Sequence, residues 1–236
     1  MPQYTTYLKE RREIATGTMA VHFEKPAGFS FKPGQFVELS LLPPREADTH
    51  PFSIASAPHE EDIMIATRMR DSAMKRTFRT MPLGTEVLID GPYGDFVLHK
   101  NAARATVFLT GGIGITPFRS MALRAVHEQL PHQIFLFYAN RTPQETPFLD
   151  ELRALESQNP HYRFIPTMTR LDGADSSWWG ERGHITKAML LRYIPDLEGS
   201  LYYSAGPQGM VAAMRTMLND AGVDDDTIRT EEFSGY

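Results

Sequence analysis

Gly111, Gly112 and Gly114, set between Thr110 and the pair Thr116-Pro117, are the residues of this chain best suited to receive a ligand. Glycines leave no Cβ to hold an anion away from the backbone, and they reach positive φ at little steric cost. Ahead of them, Ala105 to Leu109 is a continuous apolar run that suits a parallel strand buried on both faces. Behind them, Thr116 suits a helix N-cap and Pro117 the first helical position, while Phe118, Met121, Ala122, Ala125 and Val126 recur at helical spacing. Strand, turn and helix in that order aim free amides and the positive end of the helix dipole at the turn, where a phosphate binds well. A tight strand-to-helix connection with no ligand has the same spelling.

Composition narrows the chemistry. The 236 residues are 42% apolar and 22% charged, which suits one large or two ordinary globular domains. A net charge of −5 with scattered Lys and Arg leaves no basic stripe for nucleic acid. No apolar run reaches the ~20 residues of a membrane span, and MPQYTTYLKERREI lacks the apolar core of a signal peptide, so a cytoplasmic protein is expected. The absence of cysteine excludes disulfides, a redox thiol, an ordinary iron–sulfur cluster and a thiolate zinc site within this chain. Redox chemistry would therefore need an organic cofactor. The eight histidines form no HExxH-like pair, so no metal site is expected and packing or surface roles suit most of them.

The elements that must position these residues come in two kinds. From Tyr4 to about Leu98 short alternating or β-branched runs, punctuated by Gly and Pro, predict six or so strands and a small barrel, interrupted by one helix over Asp71 to Met81 capped by Ser72. Gly91-Pro92-Tyr93-Gly94 reads as a turn, and His99 to Arg104 as the crossing to a second half, with the boundary near Lys100. Beyond it, strands at Ala105, Ile134, Arg163, Leu201 and Ile228 alternate with helical segments, which predicts a parallel sheet with its ligand crevice at the carboxyl ends of the strands. Gly206-Pro207-Gln208-Gly209 reads as the turn after the fourth of these strands.

Four separated motifs, His50-Pro51-Phe52-Ser53, Gly91 to Gly94, Thr110 to Pro117 and Ala205 to Met210, make nearly the whole chain resemble the ferredoxin–NADP reductase superfamily of flavoprotein reductases. The resemblance implies an antiparallel six-stranded FAD-binding β-barrel, residues 1–100, followed by a doubly wound parallel-sheet NAD(P)-binding domain, residues 101–236. In that family the first motif is Arg-x-Tyr-Ser: the Arg pairs with the flavin pyrophosphate, the ring lies along the isoalloxazine, and the Ser sits near the reactive flavin nitrogen. This chain has His50, Pro51, Phe52 and Ser53 there. Phe52 keeps the apolar face, whereas a neutral His50 gives up a permanent bidentate charge. Arg68, Arg70, Ser72, Ala73, Lys75 and Arg76 match the family's phosphate-binding segment and offer compensation. With the loop Pro43 to Thr49 they offer material for an adenylate half, hence FAD rather than FMN.

On the nucleotide side the resemblance assigns NAD(P)H phosphates and ribose to Thr110, Gly111, Gly112, Ile113, Gly114, Thr116 and Pro117, and the nicotinamide end to Gly206, Pro207 and Met210, where many relatives carry a Cys that this chain lacks. Asn140-Arg141, after the second strand, supplies a cation and no acid, which leans towards NADPH. For the tail, the resemblance implies catalytic roles for Glu232, Phe233 and Tyr236 beside Ser53, with a carboxylate of Glu231 or Glu232 reaching Ser53 or the nicotinamide and Gly235 letting the last residue fold back. The implied activity is hydride transfer from NAD(P)H to FAD and onward to a separate acceptor, such as a ferredoxin, another redox protein or a small acceptor. The alternatives are an NAD(P)H:flavin reductase using flavin as a diffusible substrate, and an electron-relay subunit of a larger redox complex.

Overall fold

The computed structural model describes residues 3–42, 49–171 and 177–233. It divides into two compact units, the chain through Leu98 with Thr116–Arg124, and His99–Ile115 with the chain from Ala125 onward.

The first unit is antiparallel. β1 (Gln3–Ala15), β2 (Thr18–Glu24), β3 (Phe36–Leu41), β4 (Thr49–Ser53), β5 (Asp62–Arg68) and β6 (Glu86–Tyr93) pair in the order β4-β3-β6-β1-β2-β5. β1 serves two partners: Gln3 to Tyr7 pair with β6 and Leu8 to Ala15 with β2, with a register shift between Leu8 and Glu10. Such a shift bends a strand and increases its twist, as a barrel requires. The two edges of the sheet are joined beyond β4, where Ala55 N donates to Met64 O of β5 at 2.8 Å. Leu8, Val21, Phe23, Val37, Leu39, Ile63, Ile65, Val87 and Ile89 fill the interior. Helix α1 (Ala73–Thr80) adds Met74 and Phe78 to that core, and Ser72 caps it as expected, its hydroxyl accepting from Lys75 N at 3.3 Å.

The second unit alternates as its periodicity requires. β7 (Thr106–Gly111), β8 (Ile134–Asn140), β9 (Tyr162–Met168), β10 (Glu181–Arg182), β11 (Leu201–Pro207) and β12 (Ile228–Phe233) form a parallel sheet in the order β10-β9-β8-β7-β11-β12. Helices α3 (Leu149–Ala154), α4 (Lys187–Tyr193) and α5 (Gln208–Asn219) belong to this unit, whereas α2 (Thr116–His127) is divided, its residues Thr116–Arg124 falling in the first unit. Strand order reverses at β7, with β8 on one side and β11 on the other, so the end of β7 is the switch point where this class of sheet binds ligands. His99 and His132 are buried in packing roles, their ring centroids 5.3 Å apart, with His99 Nδ1 sharing a hydrogen bond of 3.1 Å with the Tyr203 hydroxyl.

Several elements differ from expectation for identifiable reasons. Thr49–Ser53 is a strand despite Pro51, because β4 lies at a sheet edge where a missing N–H is tolerated. Gly91-Pro92-Tyr93 and Gly206-Pro207 finish β6 and β11 instead of forming turns. The parallel sheet has a sixth strand, the two-residue β10, too short to leave a periodic signal.

Candidate functional site

The glycine turn is built more tightly than a loop. After Gly111 ends β7, Gly112–Ile115 makes a 3₁₀ turn that runs straight into α2, so Thr116 is the first residue of α2 and not the expected cap. Gly112 alone in the turn has positive φ, 56°. Gly114 is required by space, and Gly111 is crowded chiefly by a side chain that can swing. A Cβ on Gly114 would lie 2.3 Å from Ala205 O and 2.6 Å from Gly206 Cα, and one on Gly111 would lie 2.7 Å from Met210 Sδ. The turn thus packs its own backbone on β11. Tyr138 Oη donates to Gly112 O at 2.9 Å and fixes the turn from β8.

Thr110 departs from its expected role. It is fully buried, and its hydroxyl donates to Ala205 O at 2.8 Å, so it braces β7 on β11 and has no face for a nucleotide. Ile113, Thr116 and Pro117 are buried too, and within the turn only Gly112 is partly exposed. Asn140 is the candidate with polar atoms to spare. At the carboxyl end of β8 it is only 6% exposed, and both its amide nitrogen and its amide oxygen are buried without a partner. A buried amide with neither end satisfied costs about 1–3 kcal/mol per group, and a polar ligand removes that cost. Next to it Arg141 is exposed, while Gly206 is buried and Pro207 and Met210 are half-buried at the facing end of β11 and the start of α5.

In the first unit the candidate residues fall on β4 and around α1. His50 and Phe52 share one face of β4, with His50 exposed and Phe52 half-buried, while Ser53 is only 9% exposed on the other face beside exposed Pro51. Phe52 packs on Phe78 of α1 with ring centroids 5.9 Å apart. Arg68 turns to the β1–β2 connection, Nη1 donating to Thr16 O at 3.4 Å. Arg70 and Ala73 are exposed at the mouth of α1. Lys75 is half-buried, and burial first and the charge of Arg70 second hold its ammonium below the usual value. An anion placed between Lys75 and Arg70 would offset the repulsion that Lys75 feels. Ring, cations and capped helix start fit an FAD.

At the tail, the structure separates the two acids. Glu232 is exposed and Phe233 half-buried, whereas Glu231, paired in register with Ala205, keeps Oε2 shut off from solvent and without a partner. Burial pushes its carboxyl up to about 7. A carboxyl tuned that way in a ligand-binding unit is a candidate proton carrier, and alternation along β12 was the signal that distinguishes it from Glu232. Tyr236, Gly235 and the loop segment 43–48 lie outside the described residues. Among the described residues no cluster of three or more acids and histidines is placed to hold a metal.

The family of FAD-binding domains matches residues 7–97, and that of oxidoreductase NAD-binding domains matches residues 108–216. The chain belongs to the ferredoxin–NADP reductase superfamily. It is 30% identical over 213 residues to the glycine betaine monooxygenase reductase subunit of Chromohalobacter salexigens, covering 89% of this chain and 58% of that one. To the propane 2-monooxygenase reductase component of Rhodococcus jostii it is 27% identical over 217 residues, covering 89% and 57%. The cytochrome P450 reductase GcoB of Amycolatopsis shares the fold, with a TM-score of 0.84 at 22% identity, covering 98% of this chain and 70% of that one. The chain thus spans less than three fifths of the length of these two curated relatives. As in the superfamily, its barrel is an FAD-binding domain and its parallel sheet an NAD-binding domain. No described helix is long and apolar enough to cross a membrane.

Proposed function

We propose that this chain is an FAD-dependent oxidoreductase that takes a hydride from NAD(P)H and passes electrons to a separate acceptor, a ferredoxin or another redox protein. The observation that carries the reading is an FAD-binding and an NAD-binding domain joined in one chain that has no cysteine for an iron–sulfur cluster. When bound, the flavin accepts two electrons with the hydride and releases them one at a time. The chain's own residues bind and orient. Phe52 offers the apolar face for the isoalloxazine, Arg70 and Lys75 take the pyrophosphate with the start of α1, and Ser53 hydrogen-bonds at the reacting edge of the ring. Asn140 and the amides of Gly112 to Ile115 hold the dinucleotide, and Glu231 holds a proton at Oε2. We place the boundary between the domains near Lys100, a reading that the gap between the matched regions 7–97 and 108–216 supports. Relatives named as reductase components of monooxygenases support an oxygenase or its electron carrier as the acceptor, working in the cytoplasm.

The decisive experiment is an anaerobic absorbance spectrum of the FAD-loaded protein before and after NADH or NADPH. Bleaching of the flavin band is expected, and an unchanged spectrum with both nucleotides sinks the proposal. One observation favours a second reading. An exposed histidine, His50, stands where the superfamily resemblance puts arginine, so flavin held loosely enough to exchange would make the chain a flavin reductase. Stoichiometric FAD after purification argues for the first reading, and saturable reduction of added free flavin by flavin-free protein argues for the second.

A further inference from the structure

Resting on the reductase reading above, we infer that Arg119 is a positioning residue for the flavin reaction, acting through the seam that closes the barrel. Residues 54–61 connect β4 to β5, and Ile54, Ala55, Ser56 and Ala57 are all buried. A buried connection has to find partners for its peptide groups inside the protein. Ile54 N donates to Gln35 O at 2.9 Å and Ala55 N to Met64 O at 2.8 Å. Two successive carbonyls of the segment take their donors from α2: Arg119 Nη1 reaches Ala55 O at 2.8 Å, and Ser120 Oγ reaches Ser56 O at 2.6 Å. The same guanidinium holds Glu60 by both oxygens, Nη1 to Oε2 at 2.9 Å and Nη2 to Oε1 at 3.0 Å. Glu60 Oε2 in turn accepts from Ala57 N at 2.6 Å, which closes a ring of contacts around the segment.

Arg119 is only 4% exposed. Burial pushes the Glu60 carboxyl up, and the hydrogen bonds and charge of Arg119, with the Ala57 amide, outweigh it and leave the carboxyl below its usual value. Stability is a poor reason to keep such a pair, since apolar side chains of similar volume often serve as well; what the pair supplies is fixed geometry. A planar fork with three acceptors pins Ala55, and Ala55 is two residues from Ser53 at the end of β4. Misplacing a reacting group by about 1 Å can cost on the order of 10²-fold in rate. Arg119, Ser120, Ala55, Ser56 and Glu60 all belong to the first unit, so the clamp is internal to the unit that carries Ser53.

Arg119→Lys keeps the charge and loses the fork, so it separates position from folding. On FAD-loaded protein we expect Arg119→Lys to melt within a few degrees of the parent and to keep its nucleotide KM within about twofold. Its limiting rate of flavin reduction in stopped flow falls at least about tenfold, and the visible flavin band shifts. Ser120→Ala removes one hydrogen bond and no charge, and about threefold slower reduction is expected of it; it decides the matter if Arg119→Lys does not fold. A folded Arg119→Lys protein with the parent's rate and spectrum overturns the inference, as does an Arg119→Lys that fails to fold together with a Ser120→Ala that matches the parent. If neither nucleotide reduces the parent's flavin, the reductase reading falls and this inference with it; a parent that is reduced beside an undiminished Arg119→Lys sinks the inference alone.

Discussion

The two candidate sites of this molecule are made of different material. In the parallel sheet, the glycine turn is a backbone device: a Cβ on Gly114 would meet the backbone of Ala205 and Gly206, and Gly112 and Gly206 hold positive φ, 56° and 147°. In the barrel, the flavin motif is a side-chain device: His50 and Arg70 are exposed, and Phe52 and Lys75 are half-buried, on β4 and around α1. A backbone device tolerates almost no change and announces itself in glycines. A side-chain device lets one member be replaced while another compensates, so its residues drift from any motif.

The comparison breaks first at Gly114. Gly114→Ala puts a methyl 2.3 Å from the carbonyl oxygen of Ala205, a backbone atom that cannot swing aside. Overpacking of this kind costs about 3 kcal/mol or more. Denaturant melts should show that loss together with abolished nucleotide binding, while FAD binding by the barrel persists. A Gly114→Ala protein of parental stability would mean that the turn is not set by packing.

Glu231 tests the converse inside the parallel-sheet unit, since it is a side chain whose burial is costly. A carboxyl at about 7 in the folded protein and at its ordinary 4.5 when unfolded binds more proton in the fold, so stability is lost as pH rises from 4.5 through 7. The full shift corresponds to about 3 kcal/mol, and roughly 2 kcal/mol after allowing for partial exposure. Urea melts at pH 5 and pH 8 should show the parent losing that much more than Glu231→Gln, and equal losses in both would remove the buried charge from the account.

The same contrast governs how much could be read from the sequence. The parallel half was legible because β-branched runs and glycine turns report buried strands and close approaches directly. Even so, the partner of Gly114 was not legible, since Ala205 is far along the chain and only the sheet order brings β11 beside β7. Thr110 looked like a ligand-binding hydroxyl for the same reason: its acceptor, Ala205 O, is supplied by the fold. In the barrel, β4 was hidden by Pro51 because strand propensity says nothing of sheet edges. Arg119 left one trace, a charge directly after Phe118 among the buried residues that open α2, and its meaning required Glu60 and Ala55 to be placed opposite it.

A smaller effect sharpens the side-chain half of the comparison. His50→Arg restores a permanent cation on the exposed face that Phe52 shares, without disturbing any packed atom. A charge-assisted contact with pyrophosphate should tighten FAD by about tenfold, read by fluorescence titration, with the melting temperature of the flavin-free protein unchanged. No gain in affinity would place the pyrophosphate out of reach of β4 and assign it to Arg70 and Lys75.

The smallest expected effect is at Arg141, beside the buried Asn140. Its side chain is exposed, and the residue's described bond is a backbone one, Arg141 O accepting from Arg170 N at 2.8 Å, so truncation leaves the fold intact. A guanidinium at that point favours a 2′-phosphate over a ribose hydroxyl, and the loop from 140 to 142 carries no acid to favour the reverse. Because the charge sits in water, its discrimination is limited to about 1 kcal/mol, or roughly fivefold. Arg141→Ala should raise the KM for NADPH by that factor and leave the KM for NADH and both limiting rates unchanged, whereas Asn140→Ala should weaken both nucleotides alike, since its amide has no means of telling them apart. Equal changes for NADH and NADPH in Arg141→Ala would move Arg141 into the same class as Asn140, a residue that holds the nucleotide without selecting it.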